Sequence, residues 1–376
     1  MISIIQNKKP SLFIVGSFPK NAVFGGIQQS CKLILESTFF SDINIIQFDS
    51  SQISNPPPPF FIRFILAGIR LFRFIFKLII NQPLAILIFC SDGASALEKG
   101  VMVRLSKIAG IKVLIFPRAG NLISQVMNFK TFRGMIKYLF NKADIFLAQG
   151  NSWKNFAHLN LDISSSKIKL IHNWTATKKL LDIGRERDYT RTENIIRFLF
   201  VGWLEREKGV FEILNSIKDL DNSNFSFSFT FVGDGKAMKK AKDFVVKNQL
   251  NEKVFFEGWV LNEKLGEYYK NADIFILPSW AEGMPNSLIE ALSCGLATIV
   301  SNVGLIPNYL TNNENSLIIP PRDSVNLSRA MKKVILDKNL KIKISQNGYE
   351  IAVNYFSTEK GLEKLSKIIK KTISDE

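Results

Sequence analysis

The chain alternates short, nearly uninterrupted apolar runs with longer segments in which apolar residues recur every three or four positions. Runs of the first kind have the length and composition of strands buried on both faces, and segments of the second kind are typical of helices. In the first half of the chain, six strands are predicted at residues 11–18, 43–48, 84–89, 112–116, 143–148 and 168–171. Strands that alternate with helices at this rhythm are typical of a doubly wound α/β domain with a parallel sheet.

The same pattern resumes after a charged segment, residues 178–194, which lacks an apolar period and which we interpret as a linker. Six further strands are predicted at residues 195–201, 225–232, 254–259, 274–277, 297–300 and 316–319. Because 376 residues exceed what one hydrophobic core usually organises, two domains are expected. We place them at residues 1–185 and 195–355, followed by a C-terminal helical segment at 356–376.

The loop and helix that follow strand 274–277 hold the densest group of candidate functional residues. Pro278 ends the strand, because proline cannot donate a hydrogen bond to a sheet ladder. Ser287, with Glu290 three residues later, has the pattern of a capping box that opens a helix. In a parallel βαβ unit the ligand site lies where the strand ends and the helix begins. Glu282 and Glu290, with seven residues between them, lie on either side of that helix start.

This ordered set of residues resembles the donor-site motif of retaining glycosyltransferase family 4, whose members have the GT-B fold. The matching elements are Pro278-Ser279, Glu282-Gly283, Glu290-Ala291 and Cys294-Gly295. The resemblance implies an α/β chain of GT-B architecture, with a cleft between two doubly wound Rossmann-like domains and a last helix that packs back on the first. It also implies transfer of a hexosyl unit from a UDP- or GDP-sugar to a lipid-linked or polysaccharide acceptor. Neither a metal nor another cofactor is expected.

The resemblance assigns donor-binding roles around the two glutamates. Glu282 would contact the hydroxyl groups of the sugar, and Glu290 the ribose diol. Backbone N–H groups near the helix start would stabilise the negative charge of the leaving nucleoside diphosphate, and the candidates are Gly283, Met284, Asn286 and Ser287. Each glutamate also has a structural alternative: Glu290 as the capping-box residue, and Glu282 as a solvated loop residue.

The diphosphate of such a donor needs cations, and the loop after strand 195–201 offers Arg206 and Lys208 where a helix begins. Lys208-Gly209 matches the family's pattern, whereas Trp203 stands where the family has an arginine. Either Arg206 reaches the same phosphate, or the diphosphate is held less tightly. Gly233, in the turn Gly233-Asp234-Gly235, is expected to shape the nucleotide pocket.

Trp259 follows the strand at 254–259, where the resembled family contacts the base. It is a candidate for stacking on that base, with a buried core tryptophan as the alternative. In the first domain, Gly25 and Gly26 close the loop at residues 19–26 and permit close approach to a phosphate, or form a plain tight turn. Arg118 follows the fourth strand, where the family often has a histidine. It is either a catalytic-site cation for an acceptor phosphate or part of a structural salt bridge.

Residues 60–80, FFIRFILAGIRLFRFIFKLII, predict a helix rich in phenylalanine and isoleucine. Its cations fall within an arc of roughly 80° on a helix, and they are Arg63, Arg70, Arg73 and Lys77. Four cations argue against a membrane-spanning helix. A basic stripe on such a helix instead favours an in-plane helix on an anionic membrane surface. The alternative is a core helix with one solvated face.

The chain carries 49 Lys and Arg against 33 Asp and Glu, a net charge of +16. Such an excess favours contact with polyanions or merely keeps the protein in solution. Nucleic acid is not the expected partner, because the arginine and aromatic residues of helix 60–80 lie on opposite faces rather than interleaved. The cysteines are far apart and indicate free thiols in a reducing compartment, and with only two histidines no metal cluster is predicted.

No segment at the N-terminus has the pattern of a secretory signal, so we expect a cytoplasmic protein that binds the inner face of the cell membrane. Two other functions remain open from the sequence. One is a sugar-nucleotide epimerase or hydrolase of the same fold. The other is an accessory subunit with weak catalysis, which the substitution by Trp203 favours and the presence of Lys208, Glu282 and Glu290 opposes.

Overall fold

A computed structural model describes residues 9–18, 25–51, 58–190, 195–223 and 225–374, with only the backbone of Phe60. The chain divides into two compact units. The first comprises Met1–His172 and Glu359–Glu376, and the second comprises Asn173–Thr358.

The first unit is built on a parallel sheet with strand order β2-β1-β3-β4-β5-β6. Its strands are β1 (Ser11–Gly16), β2 (Asn44–Asp49), β3 (Ala85–Cys90), β4 (Lys112–Pro117), β5 (Ile145–Ala148) and β6 (Ile168–Leu170). Its helices are α1 (Gly26–Glu36), α2 (Phe60–Asn81), α3 (Gly93–Ile108), α4 (Asn121–Asn128), α5 (Lys130–Phe140) and α6 (Asn151–Leu161). All six residues of β3 are buried, as expected for a strand covered on both faces.

An aromatic cluster fixes α2 against this sheet. Phe13 of β1, Phe48 of β2 and Phe74 of α2 have ring centroids 5.6–5.8 Å apart, and all three are buried. Leu78, one turn after Phe74, is buried on the same side of α2. The face of α2 that contacts the sheet is therefore set by these two positions.

The second unit contains another parallel sheet, with strand order β12-β11-β10-β7-β8-β9. Its strands are β7 (Ile196–Val201), β8 (Phe227–Val232), β9 (Val254–Gly258), β10 (Ile274–Leu277), β11 (Ala297–Ser301) and β12 (Leu317–Ile319). Its helices are α7 (Lys178–Arg185), α8 (Val210–Asp221), α9 (Met238–Lys247), α10 (Asn262–Asn271), α11 (Asn286–Ser293), α12 (Ile306–Tyr309), α13 (Ser324–Leu336) and α14 (Lys338–Tyr355). The prediction of two α/β units with parallel sheets is confirmed.

The strand order reverses between β7 and β10 in this second sheet. β7 is the first strand of the unit along the chain, and it pairs with β8 on one side and with β10 on the other. The loops that leave the carboxyl ends of β7 and β10 therefore start side by side. Open α/β sheets bind their ligands at such a switch point.

The boundary between the units lies before the predicted one. The predicted linker at residues 178–194 begins with α7, which belongs to the second unit. The Arg187 guanidinium donates hydrogen bonds to the carbonyl oxygens of Tyr269, Ala272 and Cys294, at 2.6–2.8 Å. The charge of this segment therefore serves to fasten it to the second unit, and residues 191–194 lie outside the described residues.

The last helix, α15 (Thr358–Ser374), contributes residues to the first unit. The Ser366 hydroxyl donates to the carbonyl oxygen of Phe39 at 2.8 Å, and the Lys370 ammonium lies 2.8 Å from the Asp42 carboxylate. Leu365 and Ile369 are fully buried on the inner side of the helix. The first unit is thus completed by a segment distant in sequence.

Candidate functional site

Three loops pack tightly at the carboxyl edge of the second sheet. Gly209 ends the loop after β7 with φ +76°, and a Cβ there would lie 2.4 Å from the carbonyl oxygen of Pro278. Gly233, after β8, has φ +134°, and a Cβ there would lie 1.9 Å from the carbonyl oxygen of Gly202. Both the positive φ and the close backbone approach require glycine at these two positions. Gly233 therefore lies in the close packing of this edge, and its predicted role in the nucleotide pocket stays a prediction.

Lys208 and Glu282 meet where the loops after β7 and β10 adjoin. The Lys208 ammonium donates a hydrogen bond of 2.5 Å to Glu282 Oε1. The lysine side chain is 30% exposed and the glutamate side chain 10%. The interpretation of Glu282 as a solvated loop residue is therefore wrong. The structure thus brings together the carboxylate predicted to contact the sugar and a cation predicted to bind the diphosphate.

The ring of Trp280 gathers two arginines at the same edge. The Arg206 guanidinium lies 5.5 Å from the ring centroid, and the Arg322 guanidinium 4.4 Å. The indole N–H of Trp280 donates to Glu212 Oε1 at 2.9 Å, which fixes the ring. Arg322 was not among the predicted site residues. It lies three residues beyond the end of β12, and loops that follow parallel strands commonly hold ligand-binding residues.

Glu290 is not a capping residue. α11 begins at Asn286, with Pro285 before it, and no side-chain hydrogen bond caps its start. The predicted capping box of Ser287 and Glu290 is therefore wrong. Glu290 is half-buried, and its Oε2 accepts a hydrogen bond of 2.8 Å from the hydroxyl of the fully buried Tyr269. Loss of hydration raises the pKa of Glu290 to about 7.

The loop between Glu282 and α11 is held from two sides. A Cβ at Gly304, whose φ is +60°, would lie 2.0 Å from the carbonyl oxygen of Glu282. The Leu305 N–H donates to the carbonyl oxygen of Gly283 at 2.9 Å. The Asn173 side-chain amide donates to the carbonyl oxygen of Met284 at 2.8 Å. The backbone that carries the predicted N–H donors is therefore fixed by its neighbours.

Trp203, the residue that departs from the resembled family, packs against Trp259. Their ring centroids are 5.2 Å apart, at an interplanar angle of 38°. Trp259 is 41% exposed, so the alternative of a buried core tryptophan is wrong. Gly233 N–H donates to the carbonyl oxygen of Gly258 at 2.7 Å, which links this aromatic pair to the loop after β8.

A comparison with family models identifies the part of the chain that carries this geometry. Residues 185–351 match the model of Glycosyl transferases group 1. We refer to this matched segment, which is similar to group 1 glycosyltransferases, as the group 1 domain. The group 1 domain includes the Lys208–Glu282 pair, Arg206, Glu290 and the three tryptophans Trp203, Trp259 and Trp280.

The chain is also similar to known relatives and solved structures. The chain is 25% identical over 288 residues to the UDP-Gal:alpha-D-GlcNAc-diphosphoundecaprenol alpha-1,3-galactosyltransferase of Escherichia coli, and the alignment covers 72% of each chain. It superposes on sucrose-phosphate synthase from Thermosynechococcus elongatus with a TM-score of 0.78 at 18% identity, covering 98% and 100% of the two chains. For Anabaena Alr3699/HepE in complex with UDP the TM-score is 0.71 at 14% identity, covering 96% and 100%.

These neighbours confirm the predicted GT-B fold. The chain spans about half the length of three other curated relatives that it matches, with coverages of 61%, 46% and 40%. The finer assignment to family 4 stays a prediction.

The remaining predicted site residues lie in the first unit, apart from the group 1 domain. Gly25 has an extended backbone (φ −161°), and a Cβ there would meet no atom of a described residue within 4 Å, so neither feature requires glycine. Gly25 and Gly26 line a cavity of about 860 Å³ beside α2 and α3, which we call the α2–α3 cavity. Residues 19–24 of their predicted loop lie outside the described residues.

Arg118 directly follows β4. Its N–H donates to the carbonyl oxygen of Cys90 at 2.8 Å, and its guanidinium lies 4.9 Å from the centroid of Phe116. Burial lowers the pKa of Arg118 to about 10, so the side chain remains a cation at neutral pH.

Only part of the predicted basic stripe of α2 is exposed. Arg70 donates two hydrogen bonds of 2.8 Å to the Glu98 carboxylate of α3, and Lys77 lies 5.9 Å from the ring of Phe48. Both residues flank the side of α2 that Phe74 anchors to the sheet, whereas Arg63 and Arg73 are exposed. The prediction that all four cations face anionic lipid is therefore wrong, because the core-facing arc includes two of them.

The outer face of α2 is apolar instead. Seven of its large apolar side chains are at least half exposed: Phe61, Phe64, Ile69, Phe72, Phe76, Ile79 and Ile80. Within the described part of the chain, no helix is long and apolar enough to cross a membrane.

Proposed function

We propose that the chain is a retaining glycosyltransferase that moves a hexosyl unit from a nucleotide-diphosphate sugar to a lipid-linked or polysaccharide acceptor. The observation that carries the proposal is the Lys208–Glu282 pair at the switch point of a group 1 glycosyltransferase domain, with Glu290 on the helix that follows. This arrangement joins a cation for a phosphate with a carboxylate for sugar hydroxyls at one loop junction.

Each part of the donor has a matching group in the group 1 domain. Lys208 and Arg206 hold the diphosphate, and Arg322, beside the same indole ring, adds a third cation. Glu282 accepts hydrogen bonds from the sugar, and Glu290 from the ribose diol. Trp259, exposed beside Trp203, stacks on the base.

The names of related proteins support the choice of donor and acceptor. The Escherichia coli relative is named for a UDP-galactose donor and an acceptor linked to diphosphoundecaprenol. Structural neighbours include Anabaena HepE in complexes with UDP and with UDP-glucose. A uridine donor and a lipid-linked acceptor therefore form the most specific version of the proposal.

Side-chain cations and the start of α11 replace a divalent ion in this proposal, so transfer needs no metal. The leaving phosphate takes the proton of the acceptor hydroxyl on the face from which the sugar departs, which retains the anomeric configuration. Arg118 is proposed as a cation for the acceptor.

A lipid-linked acceptor places the enzyme at a membrane surface. We expect the outer face of α2 to lie in the plane of the inner leaflet, with its phenylalanine and isoleucine side chains among the acyl chains. The exposed Arg63 and Arg73, together with the net charge of +16, favour an anionic leaflet.

A thermal-shift screen of the full chain against UDP-, GDP-, ADP- and dTDP-sugars tests the donor site. A donor at a hundred times its Kd stabilises the fold by about 2.7 kcal/mol. One nucleotide class should raise the Tm of the wild type and of Glu314→Gln, a surface control in the same unit, but not of Glu282→Gln. A screen without any shift would refute the donor site and favour the accessory subunit, for which the substitution by Trp203 is the supporting observation.

A further inference from the structure

The α2–α3 cavity is a second concave site, and it lies within the first unit. Its volume of about 860 Å³ is within the range of small-molecule sites. Apolar residues of α2 and α3 form much of its wall, including Leu66, Leu71 and Val101. Polar and charged residues form the rest of the wall, and a ligand pocket commonly combines apolar walls with polar groups that orient the ligand.

Charge is unevenly balanced in the wall of this cavity. Arg70 occupies both carboxylate oxygens of Glu98 through its two hydrogen bonds. Lys99, which is only 3% exposed, lies 3.5 Å from the same carboxylate. Two cations thus share one anion, and Arg63 adds a third cation at the wall. Burial lowers the pKa of Lys99, and an anionic ligand would offset the cost of keeping it charged.

Uncharged polar groups in the same wall fit a ligand that carries both phosphate and hydroxyl groups. The hydroxyl groups of Ser17, Ser91 and Ser95 line the cavity and are potential donors to phosphate oxygens. The side-chain carbonyl oxygen of Gln28 is buried and accepts no hydrogen bond from any described residue. A sugar hydroxyl is a suitable donor to this oxygen.

The cavity also connects with the apolar outer face of α2. Phe64 lines the cavity and is 72% exposed, so it belongs to both surfaces. A ligand that passes Phe64 would meet cations at one end and the exposed phenylalanine and isoleucine side chains at the other. Such a surface suits an amphiphile with an anionic head.

We propose that the α2–α3 cavity binds the phosphate-bearing head of a lipid-linked acceptor, whose hydrocarbon chain lies along the outer face of α2. Its role as the acceptor site rests on the proposed transferase function. Lys99 and Arg63 bind the phosphate oxygens, Gln28 accepts a hydrogen bond from the attached sugar, and Phe64 contacts the first part of the chain.

Calorimetric titration of the full chain with farnesyl diphosphate tests this proposal, with farnesol and inorganic pyrophosphate as the two half-ligands. Farnesyl diphosphate should bind at least tenfold more tightly than either half-ligand. Lys99→Met should weaken it at least tenfold, whereas Lys154→Met, at an exposed lysine of α6, should leave it unchanged. Equal affinity in the two variants would overturn the proposal, as would a half-ligand that binds as tightly as the whole.

Two further arms separate this site from the donor site and from a folding defect. Ala67→Phe, which fills the cavity and leaves every charge in place, should also abolish binding. The affinity for farnesyl diphosphate should be unchanged by saturating UDP and by the substitution Lys208→Met. Displacement of farnesyl diphosphate by UDP would show that the diphosphate occupies the donor site instead. If the wild type binds UDP-sugars but not farnesyl diphosphate, only this proposal is refuted. If it binds farnesyl diphosphate but no UDP-sugar, the transferase function is refuted.

Discussion

At the scale of single residues, Glu290 links burial to a measurable pH dependence. Its folded-state pKa of about 7 is above the ordinary value, so the folded protein holds a proton that the unfolded chain has already lost. Stability should therefore fall as pH rises from about 4.5 to about 7, and remain lower above. At 1.36 kcal/mol per pKa unit, the loss amounts to about 3 kcal/mol.

Denaturant unfolding between about pH 4 and pH 8 measures this effect. Glu290→Gln keeps an acceptor for Tyr269 and should remove the loss. Glu257→Gln is the matched control, since Glu257 accepts a hydrogen bond of 3.0 Å from Tyr268 but is exposed. If Glu290→Gln and the wild type lose equal stability over this range, another group causes the change.

Substitutions in the Lys208–Glu282 pair distinguish effects on stability from effects on donor binding. Lys208→Met leaves a carboxylate of 10% exposure without its cation, which should cost about 1–3 kcal/mol and abolish donor binding. Replacing both residues by Met removes the unpaired charge, so stability should return while donor binding stays absent. A double variant that binds UDP-sugars would exclude the pair from the donor site.

The residues of the site were predictable to different degrees for physical reasons. Glu282, Glu290 and Lys208 follow strand ends. A parallel sheet brings the carboxyl ends of its strands to one edge, whatever the conformation of the loops. Arg322 and Trp280 join the site through a side-chain stack between loops that are distant in sequence, which spacing does not reveal. The sequence pattern around Glu290 predicted a capping box at the start of α11. Glu290 instead accepts a hydrogen bond from Tyr269 on α10, a tertiary contact that local sequence does not reveal.

At the scale of elements, all twelve strands lie within two residues of their predicted bounds. Central strands such as β3, β10 and β11 are buried along their whole length, and such short apolar runs between turn-forming residues have few alternatives. Helices were harder to predict than strands, and α7 lies in the segment that was interpreted as a linker. The charged residues of α7 obscure its helical pattern in the sequence, because its buried face is narrow. On that face Gly184 packs closely against the carbonyl oxygen of Ser293.

The helix α2 was predicted with bounds 60–80 and is found at Phe60–Asn81, but its orientation was mispredicted. Spacing places the four cations on one arc, yet it does not say whether that arc faces solvent or protein. Glu98, 28 residues after Arg70, decides the orientation through a contact that helical periodicity does not contain.

The apolar outer face of α2 predicts membrane binding that depends on aromatic rather than basic residues. Phe72→Glu with Phe76→Glu should abolish co-sedimentation with anionic vesicles, because it places charge in the acyl region. Ile108→Glu, at an exposed apolar residue that ends α3, should bind as the wild type does. Vesicle binding that survives the double change would rule out insertion by this face.

At the scale of the whole molecule, the sequence predicted two parallel-sheet units, and the structure bears this out with a boundary at His172 rather than near residue 185. The boundary was misplaced because the segment at 178–190 is charged and was interpreted as a solvated linker. Arg187 in this segment instead binds carbonyl oxygens of the second unit. The donor residues lie within one unit and the α2–α3 cavity within the other. Donor binding and acceptor binding should therefore respond to separate sets of substitutions.

Measurement of sugar transfer tests the proposed transferase function most directly. The full chain is mixed with a farnesyl diphosphate-linked sugar and radiolabelled UDP- or GDP-hexoses in the presence of EDTA, and label in the organic phase is measured. We expect label from one donor, retained anomeric configuration in the product, and no label with Glu282→Gln. A folded protein that binds a UDP-sugar and the lipid, yet transfers no label with or without added Mg²⁺, would contradict the proposed function.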